Sequence, residues 1–171
     1  MADVQKVKDA FFNKQVRCAL LCEVFCEKTN AELKTLQEEF AKAEKVELKE
    51  FVIDVMTKLK VVNNREQIKE FLIRVLADSN TRADPSEREK STSVDTNRAK
   101  EDAAKLQVEK LKPDVFLNVF LGKGGSMTFS QVKETVKQFE EEDDDFIGKL
   151  EDSFDSPFLN LCVRYIEFAL K

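Results

Sequence analysis

Cys18-Ala19-Leu20-Leu21-Cys22-Glu23-Val24-Phe25-Cys26 contains one charged residue, Glu23, and its other side chains are apolar or small. A surface helix carries polar residues on one side, whereas a helix that is apolar nearly all round is covered on several sides. The stretch therefore predicts a buried helix at the centre of the fold. A second segment of this kind, Phe158–Leu170, lies near the other end of the sequence.

Amphipathic patterns surround the first buried stretch. Apolar residues that recur every three or four positions predict a helix with one face inward. The predicted helices are residues 3–12, the buried stretch 18–26, a surface helix capped at Thr29 or Asn30 with Leu33, Leu36, Phe40 and Ala43 inward, a fourth over Val46–Leu59, and a fifth that begins near Asn63 or Asn64 and carries Ile68, Phe71, Leu72, Val75 and Leu76.

The periodic pattern stops between Asp78 and Arg98, where the side chains offer nothing to bury. This break predicts a polar linker, residues 80–94, between two units, residues 1–79 and 95–171. The same order of helices then recurs, with apolar segments around Ala99–Leu106, Val115–Leu121, Phe129–Phe139, Phe146–Leu150 and Phe158–Leu170. The sequence thus predicts an all-α fold of two five-helix repeats whose residue identities have drifted apart.

The register of the third helix in the second repeat has two solutions. Phe129, Val132 and Val136 match the spacing of Leu33, Leu36 and Phe40, and a set that starts at Val132 matches it about as well. The pattern alone leaves both alternatives open.

Composition limits the class of protein. The 171 residues are 42% apolar and 36% charged, which is typical of a globular helical protein rather than a disordered one. The net charge of −5 argues against nucleic acid, because phosphate binding needs a concentrated basic face. The sequence shows no signal peptide and no long apolar run, so we expect a cytoplasmic protein with reduced cysteines. Any association with a membrane or with the cytoskeleton would then be peripheral.

Two stretches carry a resemblance to a known family. Val94–Leu106 (VDTNRAKEDAAKL) resembles the opening of the third annexin repeat after its long linker, and Phe25–Leu33 (FCEKTNAEL) resembles the corner between the second and third helices of a repeat. The chain as a whole looks like the second and third of four annexin repeats, and is most similar to the divergent alpha-giardins. The resemblance implies membrane and cytoskeletal association, and surface left by the missing repeats would favour a homodimer.

The calcium-binding pattern of the family is incomplete here. The resemblance implies calcium held by a Gly-rich loop between the first two helices and by a later carboxylate. The two loops read Phe12–Val16 and Glu109–Pro113 and contain no glycine. The carboxylate positions show Asn63 or Asn64 in one repeat, and Phe154 with Asp155 one position off in the other. We therefore predict degenerate sites, no cofactor, and at most weak calcium binding.

An acidic run supplies the weak candidates for metal ligands, Asp143, Asp144 and Asp145, to which Asp155 is added. Read as an EF-hand loop from Asp143, the run places Ile147 and Phe154 where side-chain oxygens are needed. A solvated helix start explains it better, since carboxylates stabilise that end of a helix. We predict no metal site, and a degenerate EF-hand-like sensor is the runner-up within calcium biology.

Other patterns that suggest chemistry have simpler explanations. Cys18, Cys22 and Cys26 line one side of a helix, but zinc needs four donors and the chain has no His, so core packing is preferred. Gly122–Ser126 lacks the order of a phosphate-binding loop and is predicted to be a turn between helices. Without His, a Ser or Cys nucleophile lacks its usual base, so no catalytic residue and no enzyme is predicted.

Two hypotheses of function follow. The first is a non-enzymatic annexin-like module that binds acidic phospholipid or a cytoskeletal protein. The alternative is a helical protein–protein interaction domain without lipid or calcium binding, for which the repeat pattern reflects amphipathic helices alone.

Overall fold

A computed structural model describes residues 2–59, 63–79, 87–122, 125–142 and 145–171. The elements in chain order are α1 (Ala2–Ala10), a 3₁₀ turn (Phe12–Lys14), α2 (Cys18–Phe25), α3 (Asn30–Glu44), α4 (Leu48–Lys58), α5 (Arg65–Ser79), α6 (Glu87–Lys90), α7 (Thr96–Leu106), α8 (Pro113–Phe120), β1 (Leu121–Gly122), β2 (Gly125–Ser126), α9 (Phe129–Glu142), α10 (Phe146–Ser153) and α11 (Phe158–Leu170). The all-α fold predicted from the sequence, with five helices on each side of a polar linker, is confirmed.

Local sequence signals explain where several helices begin. The Thr29 side chain accepts a hydrogen bond from the backbone N–H of Glu32, and the Glu32 side chain accepts one from the backbone N–H of Thr29. This reciprocal pair satisfies donors that the first turn of α3 leaves open. Asp95 caps α7 through the backbone N–H of Arg98 at 3.0 Å, and Pro113 begins α8, where its missing N–H costs nothing.

The buried positions of the first repeat recur in the second with the same spacing. In α2 they are Leu21, Cys22, Val24 and Phe25, and in α8 they are Phe116, Leu117, Val119 and Phe120. In α5 they include Ile68, Phe71, Leu72, Val75 and Leu76, and in α11 Phe158, Leu161, Cys162, Tyr165 and Ile166. Equal burial spacing shows that each helix meets the core with the same face as its counterpart.

Burial also decides the register of the third helix. The buried positions Leu33, Leu36 and Phe40 of α3 correspond to Val132, Thr135 and Phe139 of α9. The solution that starts at Val132 is therefore the one the structure adopts. Phe129 is only partly buried and packs against Phe168 of α11 with ring centroids 5.7 Å apart.

One hydrophobic core extends through both repeats. Phe71 of α5 makes edge-to-face contacts with Phe158 and Tyr165 of α11, with ring centroids 6.3 and 5.6 Å apart. Arg74, one turn further along α5, donates to the carbonyl oxygen of Leu121 at 3.0 Å and to the side-chain oxygen of Asn118 at 3.3 Å. Apolar and polar contacts thus hold the repeats together.

The structure corrects three details of the prediction. The patternless segment is shorter than predicted, because α5 continues to Ser79 and α7 begins at Thr96. Within the linker, α6 brings the Glu89 carboxylate onto the first turn of α3, where it accepts from the backbone N–H of Asn30 at 2.8 Å. The stretch 18–26 is covered on fewer sides than predicted, since Ala19 is exposed.

The glycine-rich turn forms a short antiparallel ladder that pairs Leu121 with Ser126 and Gly122 with Gly125. The two residues between the strands lie outside the described part of the chain. The unit bounds 1–79, 80–94 and 95–171 stay a prediction.

Candidate functional site

Each repeat has a loop between its first two long helices, residues 11–17 in the first repeat and residues 107–112 in the second. Ser153 of α10 accepts a hydrogen bond from the backbone N–H of Leu111 at 3.3 Å, in the loop of residues 107–112 that joins α7 to α8. A groove on another side of α10 is lined by Cys18 at the start of α2, by Glu151 and by Leu159. The loop of residues 11–17 leads directly into Cys18, so its last residue is one position from a residue that lines this groove. We call these two loops the loop face.

The side chain of Lys149 hydrogen-bonds two backbone carbonyl oxygens of the second loop. The Lys149 ammonium donates to the carbonyl oxygen of Glu109 at 3.2 Å and also contacts that of Val108. Carbonyl oxygens in such a loop are the ligands that a hard cation takes. An internal ammonium therefore already satisfies two of the backbone oxygens that the second loop offers.

Two backbone hydrogen bonds close the first loop. The carbonyl oxygen of Ala10 accepts from the N–H of Arg17 at 2.8 Å, and that of Phe12 accepts from the N–H of Gln15 at 3.3 Å. Asn13 takes a left-handed conformation (φ 59°), which closes the turn. Asparagine tolerates this conformation better than most residues, so the turn needs no glycine.

Each loop exposes one apolar side chain. Phe12 is 60% exposed in the first loop, and Val108 is 42% exposed in the second. The Arg17 guanidinium lies 5.7 Å from the centroid of the Phe12 ring. The loops also contain Lys14, Lys110 and Lys112 against a single acidic residue, Glu109. The loop face thus combines apolar tips with an excess of positive charge, on a chain of negative net charge.

Of the four predicted metal candidates, the structure describes Asp145 and Asp155. Asp143 and Asp144 lie outside the described residues. Asp145 caps α10, because its side chain accepts from the backbone N–H of Ile147 at 3.2 Å. Asp155 is exposed in the corner between α10 and α11. In the described part of the chain, no three His, Cys, Asp or Glu residues are grouped so that they could hold a metal ion.

The positions where the family resemblance places a calcium carboxylate hold other side chains. Phe154 is 4% exposed and packs against Phe116 and Phe158, so it belongs to the core. Asn64 has a left-handed backbone (φ 59°) directly before α5, and Asn63 is exposed beside it. These residues shape the corners before α5 and α11.

The four cysteines are unpaired thiols, and three of them are buried. Cys22 and Cys26 of α2 donate to the carbonyl oxygens of Asn160 and Leu161 in α11, each at 3.5 Å. Burial raises the pKa of Cys162 well above its usual range. These thiols join α2 to α11, so the packing role predicted for Cys22 and Cys26 agrees with their positions.

Sequence reasoning missed the two most informative residues of the loop face. A phenylalanine in the predicted loop was a readable signal for Phe12, because Phe is among the side chains most often buried. Lys149 gave no signal, since its contact joins positions about 40 residues apart in the chain.

Within the described residues, no helix is both long and apolar enough to cross a membrane.

Comparisons with known proteins concern the fold. No protein-family model matches the chain, and no curated protein matches it in sequence. A solved structure of an annexin A8 mutant is similar, with a TM-score of 0.73 and 11% identity over 98% of this chain and 48% of that chain. Annexin III gives a TM-score of 0.72 and 17% identity over 98% of this chain and 48% of that chain.

The chain spans about half the length of these two annexins. The narrower likeness to the alpha-giardins stays a prediction. At these identities the likeness concerns the architecture, and the chain has the annexin fold.

Proposed function

We propose that the chain is a non-enzymatic binding module that attaches peripherally to acidic phospholipid through the loop face, without a requirement for calcium. The observation that carries the proposal is the contact of Lys149 with the carbonyl oxygens of Val108 and Glu109. When an ammonium group already hydrogen-bonds the carbonyl oxygens of an annexin-type loop, fewer oxygen ligands are left for a divalent cation. The loop must then contact lipid by other means.

Those means are the apolar tips and the basic side chains beside them. Inserting part of the Phe12 ring below the headgroups contributes about 1–2 kcal/mol by the area it removes from water. Each Lys or Arg held near an anionic surface adds roughly 1 kcal/mol. Arg17, Lys110 and Lys112 therefore supply most of the attraction, and salt weakens it. The result is reversible binding, and a cytoskeletal protein with an acidic surface would satisfy the same residues.

Vesicle sedimentation tests the proposal. The chain is mixed with vesicles of phosphatidylserine and phosphatidylcholine, and separately with phosphatidylcholine alone, in calcium and in a calcium chelator. We expect sedimentation with the acidic vesicles under both conditions, release as salt is raised, and none with the neutral vesicles. Binding that appears only with calcium would contradict the proposed mechanism.

The same assay addresses the alternative function. If the chain binds neither vesicle in either condition, the helical protein–protein interaction domain becomes the preferred hypothesis. A homodimer remains a prediction, and analytical ultracentrifugation over a range of protein concentrations measures it directly.

A further inference from the structure

A separate groove of about 410 Å³ lies on the first repeat, where the start of α1 meets the first turns of α3. The buried side chain of Leu36 lines it, together with Ala31, Glu32 and Thr35 of α3 and with Ala2 of α1. None of these residues belongs to the loop face. We call this groove the α3 groove.

The third helices of the two repeats start in the same way. The register that aligns α3 with α9 pairs Thr29 with Thr128 and Glu32 with Gln131. Each threonine side chain accepts a hydrogen bond from the backbone N–H three residues later, at 3.2 Å in both repeats. The surroundings of the two first turns can therefore be compared position by position.

In the second repeat the chain itself covers this place. Residues 91–95, which we call the strap, contact the first turn of α9. The Ser130 hydroxyl donates to the carbonyl oxygen of Ser91 at 2.8 Å. The Gln131 side chain accepts from the backbone N–H of Asp95 at 2.8 Å and donates to its carbonyl oxygen at 3.0 Å. One side-chain amide thus holds both backbone polar groups of a residue in extended conformation (φ −100°, ψ 99°).

The counterparts of Ser130 and Gln131 in the first repeat are Ala31 and Glu32, and both line the α3 groove. Among the described residues that line it, none comes from the linker. We propose that the α3 groove is a docking site for an extended segment of a protein partner, which lies there as the strap lies on α9. The inference does not depend on lipid binding, so either proposal can fail without the other.

The residue types of the α3 groove specify a basic segment. A Gln131 side chain both donates and accepts, whereas the Glu32 carboxylate only accepts. Asp3 and Glu39 add two carboxylates, and the described residues that line the groove include no Lys or Arg. Because Asp3 pairs with Lys28 at 2.9 Å, Glu32 is the carboxylate best placed to receive a guanidinium or ammonium group. The partner segment should therefore carry Arg or Lys, which the strap does not contain.

The cap of α3 is compatible with an occupant. Thr29 donates its backbone N–H to Oε1 of Glu32 at 3.0 Å, and a carboxylate has acceptor positions on both of its oxygens. Glu32 is exposed, so an incoming basic side chain reaches it without unfolding the first turn. The α3 groove is thus already formed in the free chain, and binding should be reversible.

Nuclear magnetic resonance of the folded chain tests the proposal with two peptides of the length of the strap. The acidic probe has the strap sequence, and the basic probe carries Arg in place of Thr92 and Asp95. We expect the basic probe to shift the backbone amide signals of Ala31, Glu32 and Thr35, and the acidic probe to leave them unchanged. No shift at millimolar peptide, or an equal response to both probes, would overturn the proposal.

A matched pair of variants locates the charge recognition. Glu32→Gln gives the first repeat the residue type of the second and keeps one that completes the cap. It should weaken binding of the basic probe about two- to fivefold, as expected for one exposed ion pair. Glu38→Gln is the same change at an exposed position of α3 that does not line the groove, and it should leave binding unchanged. Equal weakening would mean that the peptide responds to net charge, which overturns the proposal.

Two controls exclude other sites and occupants. Phe12→Ser combined with Val108→Ser should bind the basic probe as the parent does, and loss of binding would place the peptide at the loop face instead. A second copy of the chain is the competing occupant, and analytical ultracentrifugation of the free chain at the titration concentration detects it. A monomer that binds the probe supports the proposal, whereas a dimer that the probe dissociates assigns the groove to the second copy and overturns it.

Discussion

Lys149 of α10 donates to the backbone carbonyl oxygen of Glu109 at 3.2 Å and thereby ties α10 to the loop between α7 and α8. An ammonium has three donors and one positive charge, so it meets the hydrogen-bonding needs of loop carbonyls that would otherwise face a hard cation or water. The protein provides its own cation at this loop. Because one side chain makes these contacts, replacing Lys149 alone should change how the second loop binds calcium.

Replacing Lys149 with glutamate should create calcium binding in the second loop. The substitution releases the carbonyl oxygens of Val108 and Glu109 and places a carboxylate near them, which is the donor set that calcium prefers. We expect calcium affinity, measured by titration calorimetry, to rise on the order of tenfold or more. Lys133→Glu, an equal charge change at an exposed position on α9, is the control. Identical heats for the two variants would refute the role of Lys149.

The apolar tips of the loop face should strengthen lipid binding and contribute little to stability. Phe12→Ser combined with Val108→Ser should weaken sedimentation with acidic vesicles roughly tenfold or more, since about 1–2 kcal/mol of apolar insertion is lost. Val94→Ser is the matched control. Val94 is 42% exposed, as Val108 is, but it precedes α7 whereas Val108 follows it, so the two lie at opposite ends of that helix.

The expected thermal midpoint of the double variant is close to that of the parent, because Phe12 is 60% and Val108 42% exposed and neither belongs to the core. Equal loss of binding in Val94→Ser would mean that lipid contact is not confined to the loop face.

What the sequence predicted well depends on short-range patterns. The Thr29 and Glu32 pair is three residues apart, so the start of α3 was readable from spacing alone. The inward position of Phe71 followed from helical periodicity. The contacts of Lys149 with Glu109 and of Glu89 with Asn30 join distant positions and depend on how helices dock, which periodicity does not encode. The fold was therefore predictable, whereas the loop face required the tertiary structure.

An ion pair at the start of α1 should make stability depend on acid pH. The Lys28 ammonium, which hydrogen-bonds Asp3 at 2.9 Å, lowers the pKa of that carboxyl. A carboxyl whose pKa is lower in the folded state stabilises the protein above its unfolded pKa of about 4, and this contribution disappears as pH falls through the folded pKa.

The matching variant is Asp3→Asn, followed by urea unfolding at several pH values. At pH 7 it should lower the free energy of unfolding by less than about 1 kcal/mol, because Asp3 is partly exposed and solvent screens the pair. The difference from the parent should vanish well below pH 4. A difference that persists unchanged in acid would mean that packing at Asp3, rather than its charge, is responsible.

The contact of Phe71 with Tyr165 should make the two repeats unfold together. Tyr165 is the only tyrosine and the chain has no tryptophan, so its fluorescence reports the second repeat, while far-ultraviolet circular dichroism reports all helices. Because one core runs through both repeats, we expect the two urea transitions to coincide. Phe71→Ala should lower the free energy of unfolding by about 3–5 kcal/mol and shift both transitions equally.

Phe40→Ala is the matched control, since Phe40 is equally buried and its aromatic contact, with Phe51, lies within the first repeat. It should destabilise the protein by a similar amount and leave the native fluorescence of Tyr165 unchanged, whereas Phe71→Ala should change that fluorescence. If Phe71→Ala shifts the circular dichroism transition and leaves the tyrosine transition in place, the repeats fold independently. The contacts of α5 with α11 would then be an interface between two domains rather than part of one core.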